Sequence, residues 1–162
     1  MKWSTFACFC AVHVAGTLED GRLTVTLNNR RKMALVGLGI GNMPEHQIET
    51  SVLKAIDSGI RLIDTAHSSG TEHVLGKHEV LSPLLHRMTD QDTVTVITKV
   101  WYTHLGYERT KLSVMESMKR MGRGSVEAVL LHWPKCDTER NTWMKCEADE
   151  KSLADHVKEV KG

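Results

Sequence analysis

Three short apolar runs, each ending on a residue that can do chemistry, constrain this chain more than any other feature. Leu62-Ile63 ends on Asp64, VTVIT (94–98) ends on Lys99, and VEAVLL (126–131) ends on His132. Each run has strand length, and the stretches between them carry helical periodicity. Strands alternating with amphipathic helices build a parallel sheet from βαβ units. In such sheets, chemistry gathers beyond the C-terminal tips of the strands. An acid, an ammonium and an imidazole are therefore expected at three neighbouring tips. Taken singly, Asp64 reads as a helix cap, Lys99 as a solvated charge and His132 as a satisfied interior histidine.

The remaining elements fit around these three. Leu23 to Leu27 alternates β-formers with polar residues, and Asn28-Asn29-Arg30-Arg31 reads as a turn. Lys32 to Leu38 then resumes as an apolar strand, so a hairpin leads into the first parallel strand. Gly37, Gly39 and Gly41 end it; the spacing departs from a dinucleotide-binding GxGxxG, and these glycines serve close approach or a turn. Pro44 opens a helix and Gly59 closes it, with Ile48, Val52, Ala55 and Ile56 on one face.

Ile60 to Ala66 is the second strand. A helix is expected from Thr71 or Glu72 into the 80s, with Val74, Leu75, Leu84 and Leu85 inward, although Gly76 and Pro83 weaken it. Thr93 to Thr98 is the third strand. Tyr107 to Met121 forms a helix whose inward stripe is Lys111, Val114, Met118 and Met121. Val126 to His132 reads as a strand covered on both faces. From Glu139 onward, with Trp143, the pattern is that of a solvated helix.

Five stretches in order, GLG (37–39), IDTA (63–66), GTE (70–72), ITKVW (97–101) and LHWP (131–134), give the chain its resemblance to the aldo-keto reductase family, over about residues 23–162. The resemblance implies part of a TIM (β/α)8 barrel: about four βα units preceded by an N-terminal β-hairpin. A full barrel takes about 250 residues and this chain has 162, so the expectation is a truncated barrel domain over 17–162.

By the same resemblance the function is reduction of small aldehyde or ketone carbonyls with NADPH. Asp64, Lys99 and His132 fall on the family's catalytic positions, and Gly39, Ile40 and Asp64 on the cofactor side. Trp101 and Trp133 fall on the substrate side. The family's catalytic tyrosine lies five residues after the aspartate, where this chain has Ser69. An aliphatic hydroxyl is a far poorer acid than a phenol of pKa about 10. The alternative reading is a non-catalytic half barrel acting as an interaction module or truncation product, prone to self-association or to complementation by a missing half.

Net charge is +1 and no basic run is interleaved with aromatics, which leaves nucleic acid without an electrostatic footprint. No stretch approaches the roughly 20 apolar residues of a membrane span. The histidines show no HExxH or comparable spacing, so no metal site is expected. Cys8 and Cys10 are too close for ordinary ligand spacing, and Cys136 and Cys146 read as free thiols unless a loop brings them together. Residues 1–16 carry one lysine before an apolar run and read either as a secretory signal peptide or as a loose leader. A signal peptide would route to the secretory pathway a chain whose resemblance otherwise implies the cytoplasm.

Overall fold

The structure is a computed structural model that describes residues 17–19, 22–77 and 94–161. Expectations for the 1–16 leader, for Cys8 and Cys10, and for Pro83, Leu84 and Leu85 lie outside the described residues. The chain divides into two compact units, with the boundary between Leu35 and Val36.

The first unit is a three-stranded antiparallel sheet, β1 (Thr17–Glu19), β2 (Arg22–Thr26) and β3 (Lys32–Ala34), in that spatial order. The expected hairpin is β2–β3, paired from Thr24 opposite Ala34 to Thr26 opposite Lys32. Its turn is closed by Leu27 N–H donating to Arg31 O and Arg30 N–H donating to Leu27 O, and the side chain of Asn29 accepts from Arg31 N–H. The strand β1 has no counterpart in the periodicity reading. The single strand expected over Lys32–Leu38 is instead split between two sheets. After β3, Leu35 and Val36 are exposed, and Leu38–Gly39 form β4 of the second sheet.

The second unit is built on a four-stranded parallel sheet, β4, β5 (Leu62–Asp64), β6 (Thr95–Val100) and β7 (Ala128–Leu131), ordered as in the chain. Gly37 explains the break before β4, because a Cβ there would lie 2.7 Å from Leu62 Cγ and 2.8 Å from Leu62 O. Helix α1 (Glu45–Asp57) buries Ile48, Val52 and Ile56 on the face that its spacing requires. Arg61 seals its C-terminal end by donating to Ile56 O at 2.7 Å. With Ile40, Ile63, Val74, Leu75, Val94, Val96 and Met121 these side chains form one apolar core.

Three expectations change here. Helix α3 (Tyr107–Arg120) turns Ser113 and Ser117 inward, while Lys111 is exposed and Val114 and Met118 are half-buried. Its inward face is thus set by small side chains, which let the helix sit close to its neighbours, and Met121 alone of the expected stripe reaches the core. β7 is not doubly covered: Val129, Leu130 and Leu131 are 40%, 45% and 67% exposed, because β7 is the last strand of the sheet.

Cys136 and Cys146 are not free thiols but a disulfide with Cα atoms 5.8 Å apart. The turns between them supply the loop that brings the sulfurs together, and α4 (Cys146–Lys161) starts only after that loop. The short helix α2 (Glu72–Leu75) ends at Gly76; the rest of the helix expected there lies outside the described residues. Among the described residues no helix is long and apolar enough to cross a membrane.

Candidate active site

Register brings the three strand-tip residues together. Asp64 lies opposite Ile97 across β5–β6, so Lys99, two residues on, emerges on the same face of the sheet. Lys99 Nζ donates to Asp64 Oδ1 at 2.6 Å and to Thr65 O at 2.9 Å. Leu130 is opposite Lys99 on β7, and His132 follows just past the strand, its N–H donating to Val100 O. Asp64, Lys99 and His132 line one cleft of about 840 Å³, with Gly39 and Gly41 on one side and Trp101, Trp133 and Trp143 on another.

The glycines keep the first wall open. A Cβ at Gly39 would meet only Asp64 Oδ2 within 4 Å, at 3.9 Å, and one at Gly41 would lie 3.8 Å from Ser69 Cβ. Opposite them, the Trp101 ring meets His132 edge-on at 5.0 Å, and Trp143 lies 6.0 Å from Trp101 and 5.8 Å from Trp133. Burial holds the His132 imidazole below its ordinary pKa, the Lys99 charge adds to that, and Asp64 opposes it. A neutral ring results at pH 7, able to donate or accept one hydrogen bond without carrying charge. Ser68 Oγ lies 3.4 Å from its Nδ1.

A profile of the aldo/keto reductase family matches residues 33–157. The chain belongs to the aldo/keto reductase family. Over 111 residues it is 35% identical to an aldo-keto reductase of Mycobacterium avium, covering 68% of this chain and 37% of that protein. It is also 35% identical over 131 residues to a morphine 6-dehydrogenase of Pseudomonas putida, covering 81% of this chain and 42% of that protein. The solved aldose reductase of Schistosoma japonicum superposes with a TM-score of 0.62 at 28% identity, over 68% of this chain and 36% of the other. The chain spans about two fifths of the length of these two curated relatives, 37% and 42%. Its fold is accordingly that of part of an aldo-keto reductase barrel.

Within this aldo-keto reductase framework the remaining expected residues differ in where they sit. Ser69 borders the cleft, but its hydroxyl donates to Ala66 O at 2.7 Å and lies 2.8 Å from Thr71 Oγ1. Its one proton is thereby committed to the 67–69 turn. Ile40 is fully buried in the core, which leaves only its backbone to meet a ligand.

Among the described residues that line the cleft there is no tyrosine. Tyr102 is buried and donates to Asp149 Oδ2, and burial with that carboxylate pushes its pKa up to about 12. Tyr107 is 80% exposed at the start of α3.

Two residues, one lining the cleft and one behind it, escape a reading by periodicity. Trp143, on the disulfide loop rather than on a helix, completes the aromatic wall. Glu72, inside the GTE stretch, is fully buried behind β6, where Thr98 Oγ1 donates to it at 2.7 Å and Arg120 approaches to 3.5 Å. The histidines also gather in a way that local spacing does not reveal: ligand atoms of His67, His104 and Glu116 all lie within 4.8 Å of one another.

Proposed function

We propose that the cleft binds a small carbonyl compound beside NADPH and carries out carbonyl reduction of the aldo-keto reductase type, with proton delivery weakened by Ser69. The observation that carries this reading is the Lys99–Asp64 pair at 2.6 Å in the same cleft as His132. In this reading the nicotinamide ring lies against Gly39 and Gly41, which line the cleft and carry no side chains. When bound, NADPH supplies the hydride.

In this reading Lys99 places a positive charge near the carbonyl oxygen, where negative charge develops as the bond is reduced. Asp64 fixes the ammonium in direction. His132, neutral, donates a hydrogen bond that orients the same oxygen. The tryptophans keep water from the reacting face and select compact, partly apolar substrates. The developing alkoxide also takes up a proton, for which the family uses a phenol. Ser69 is a weaker acid, and its proton already serves Ala66 O.

The test is NADPH oxidation with a generic aldehyde, compared between the chain and its Ser69→Tyr variant. A positioned general acid contributes typically 10²–10⁴-fold, so the variant gains at least about 100-fold. Lys99→Ala in that background removes the gain. A Ser69→Tyr protein that binds NADPH yet is no faster than the original overturns the assignment of Lys99 and His132.

The hydrogen bond from Ser69 to Ala66 O favours a second reading, a non-catalytic member of the family that serves as an interaction module. Titration separates the two, because that module leaves cofactor fluorescence unquenched at millimolar NADPH.

A further inference from the structure

Beside the strand-tip cleft lies a second one, lined by His67, Ser68, His104, Glu116, Arg120 and His156 among others, and the carbonyl chemistry uses none of its titratable groups. We propose that His67, His104 and Glu116 form a binding site for a divalent cation of the zinc class, which ties the 67–69 turn to α3.

Three separate elements supply the donors: the 67–69 turn, the 102–104 turn and the middle of α3. Their ligand atoms lie within 4.8 Å of one another. Bonds of about 2.0–2.2 Å in a tetrahedral shell put donor atoms roughly 3.3 Å apart, so small side-chain rotations close the shell. Two imidazoles and a carboxylate are a donor set that zinc accepts, with the fourth position open to the cleft.

Neighbouring groups hold the donors of this cluster in place. Glu116 Oε2 faces His67 Nε2 at 2.8 Å, while its other oxygen, Oε1, is held by His156 Nε2. His156 thus positions the carboxylate from behind, as outer-shell partners of metal sites do. His104 is only 8% exposed. Thr103 Oγ1 engages its Nδ1 at 3.0 Å, and the ring stands 4.9 Å from that of His67. Thr103 thereby engages one of the two ring nitrogens.

A positive charge that opposes the site is Arg120, whose Nη2 is 3.8 Å from Glu116 Oε2. Its Nη1 is anchored on His67 O at 3.1 Å and faces buried Glu72 at 3.5 Å, which holds the guanidinium to one side.

The experiment is equilibrium dialysis of the chelator-stripped chain against micromolar zinc chloride, with cobalt absorption as a second readout. One equivalent is expected to bind, cobalt to give tetrahedral visible bands, and both signals to vanish in His104→Gln and Glu116→Gln. His156→Ala, a half-exposed position that spares the fold, is expected to weaken binding about 10–100-fold. His73→Ala and the double variant Cys8→Ser/Cys10→Ser are expected to keep the full equivalent. The proposal is overturned if the original chain binds no zinc. It is equally overturned if zinc binding survives His104→Gln and His156→Ala unchanged, or if it is lost with the cysteines. None of these readouts involves reductase activity.

Discussion

His104 illustrates how far a single residue departs from what its sequence neighbourhood announces. Burial, reinforced by the charges of His67, His156 and Arg109 and opposed by Glu116, lowers its pKa to about 4. An unfolded histidine titrates near 6.5. Above that value both states are neutral and the folded chain keeps its full stability. As pH falls from 6.5 towards 4 the unfolded chain takes up the proton first, and the folded chain progressively loses stability. His132 shifts in the same direction, so the difference between the original chain and His104→Gln isolates this group. Glu116, held below its ordinary value by His156 and His67 against the effect of burial, adds its own loss only below about pH 4.5. Urea midpoints of chelator-treated protein at pH 7.5 and 5.5 check the expectation. Equal slopes for the two proteins would contradict it.

At this same scale, Asp64, Lys99 and His132 were legible because each ends an apolar run, a pattern that lies within a few consecutive residues. Glu72 was visible only as part of a motif, since its burial depends on Thr98 and Arg120, 26 and 48 positions away. His67, His104 and Glu116 were illegible for the same reason.

Elements were legible where one periodicity governed one environment. Helix α1 lies between its proline and glycine signals with its expected face buried. The Lys32–Leu38 run misled because apolar content does not say which sheet a residue joins; only the close approach at Gly37 divides it. The inward face of α3 misled because serines read as polar, whereas here their small size is what packs.

Gly76 makes the element-scale argument testable. Propensity treats it as a weak point in a helix, yet a Cβ there would stand 2.1 Å from Arg120 O and 3.1 Å from the backbone of Met121. The end of α2 and the end of α3 touch backbone to backbone, and no rotamer change relieves that contact. Gly76→Ala is therefore expected to destabilise the chain by about 1–3 kcal/mol, the usual cost of overpacking, although alanine is the better helix former. Denaturant unfolding measures it. An unchanged or higher midpoint would mean that the two helix ends are not in contact.

Among the described residues the chain holds an antiparallel sheet and a parallel one, each in its own compact unit, and the parallel sheet ends on a strand with little covering. In β7 the apolar side chains of Val129, Leu130 and Leu131 stand open beside a strand edge that has no neighbour among the described residues. Sequence periodicity cannot report this, since an apolar run looks the same at the centre of a sheet as at its margin. An open strand edge offers unpaired N–H and C=O groups to any strand that arrives, and exposed apolar side chains favour the encounter. With a second copy of the chain the only protein present in a pure sample, the expected outcome is concentration-dependent self-association through β7. Leu131→Lys places a charge where the strand is most exposed, 67%, and costs the fold little because that side chain packs against little. Sedimentation velocity is expected to show the original chain shifting to faster species at tens of micromolar while Leu131→Lys remains slower at the same concentration. If the two proteins sediment alike and as monomers, the edge is protected in solution and the sheet is more fully covered than its described residues indicate.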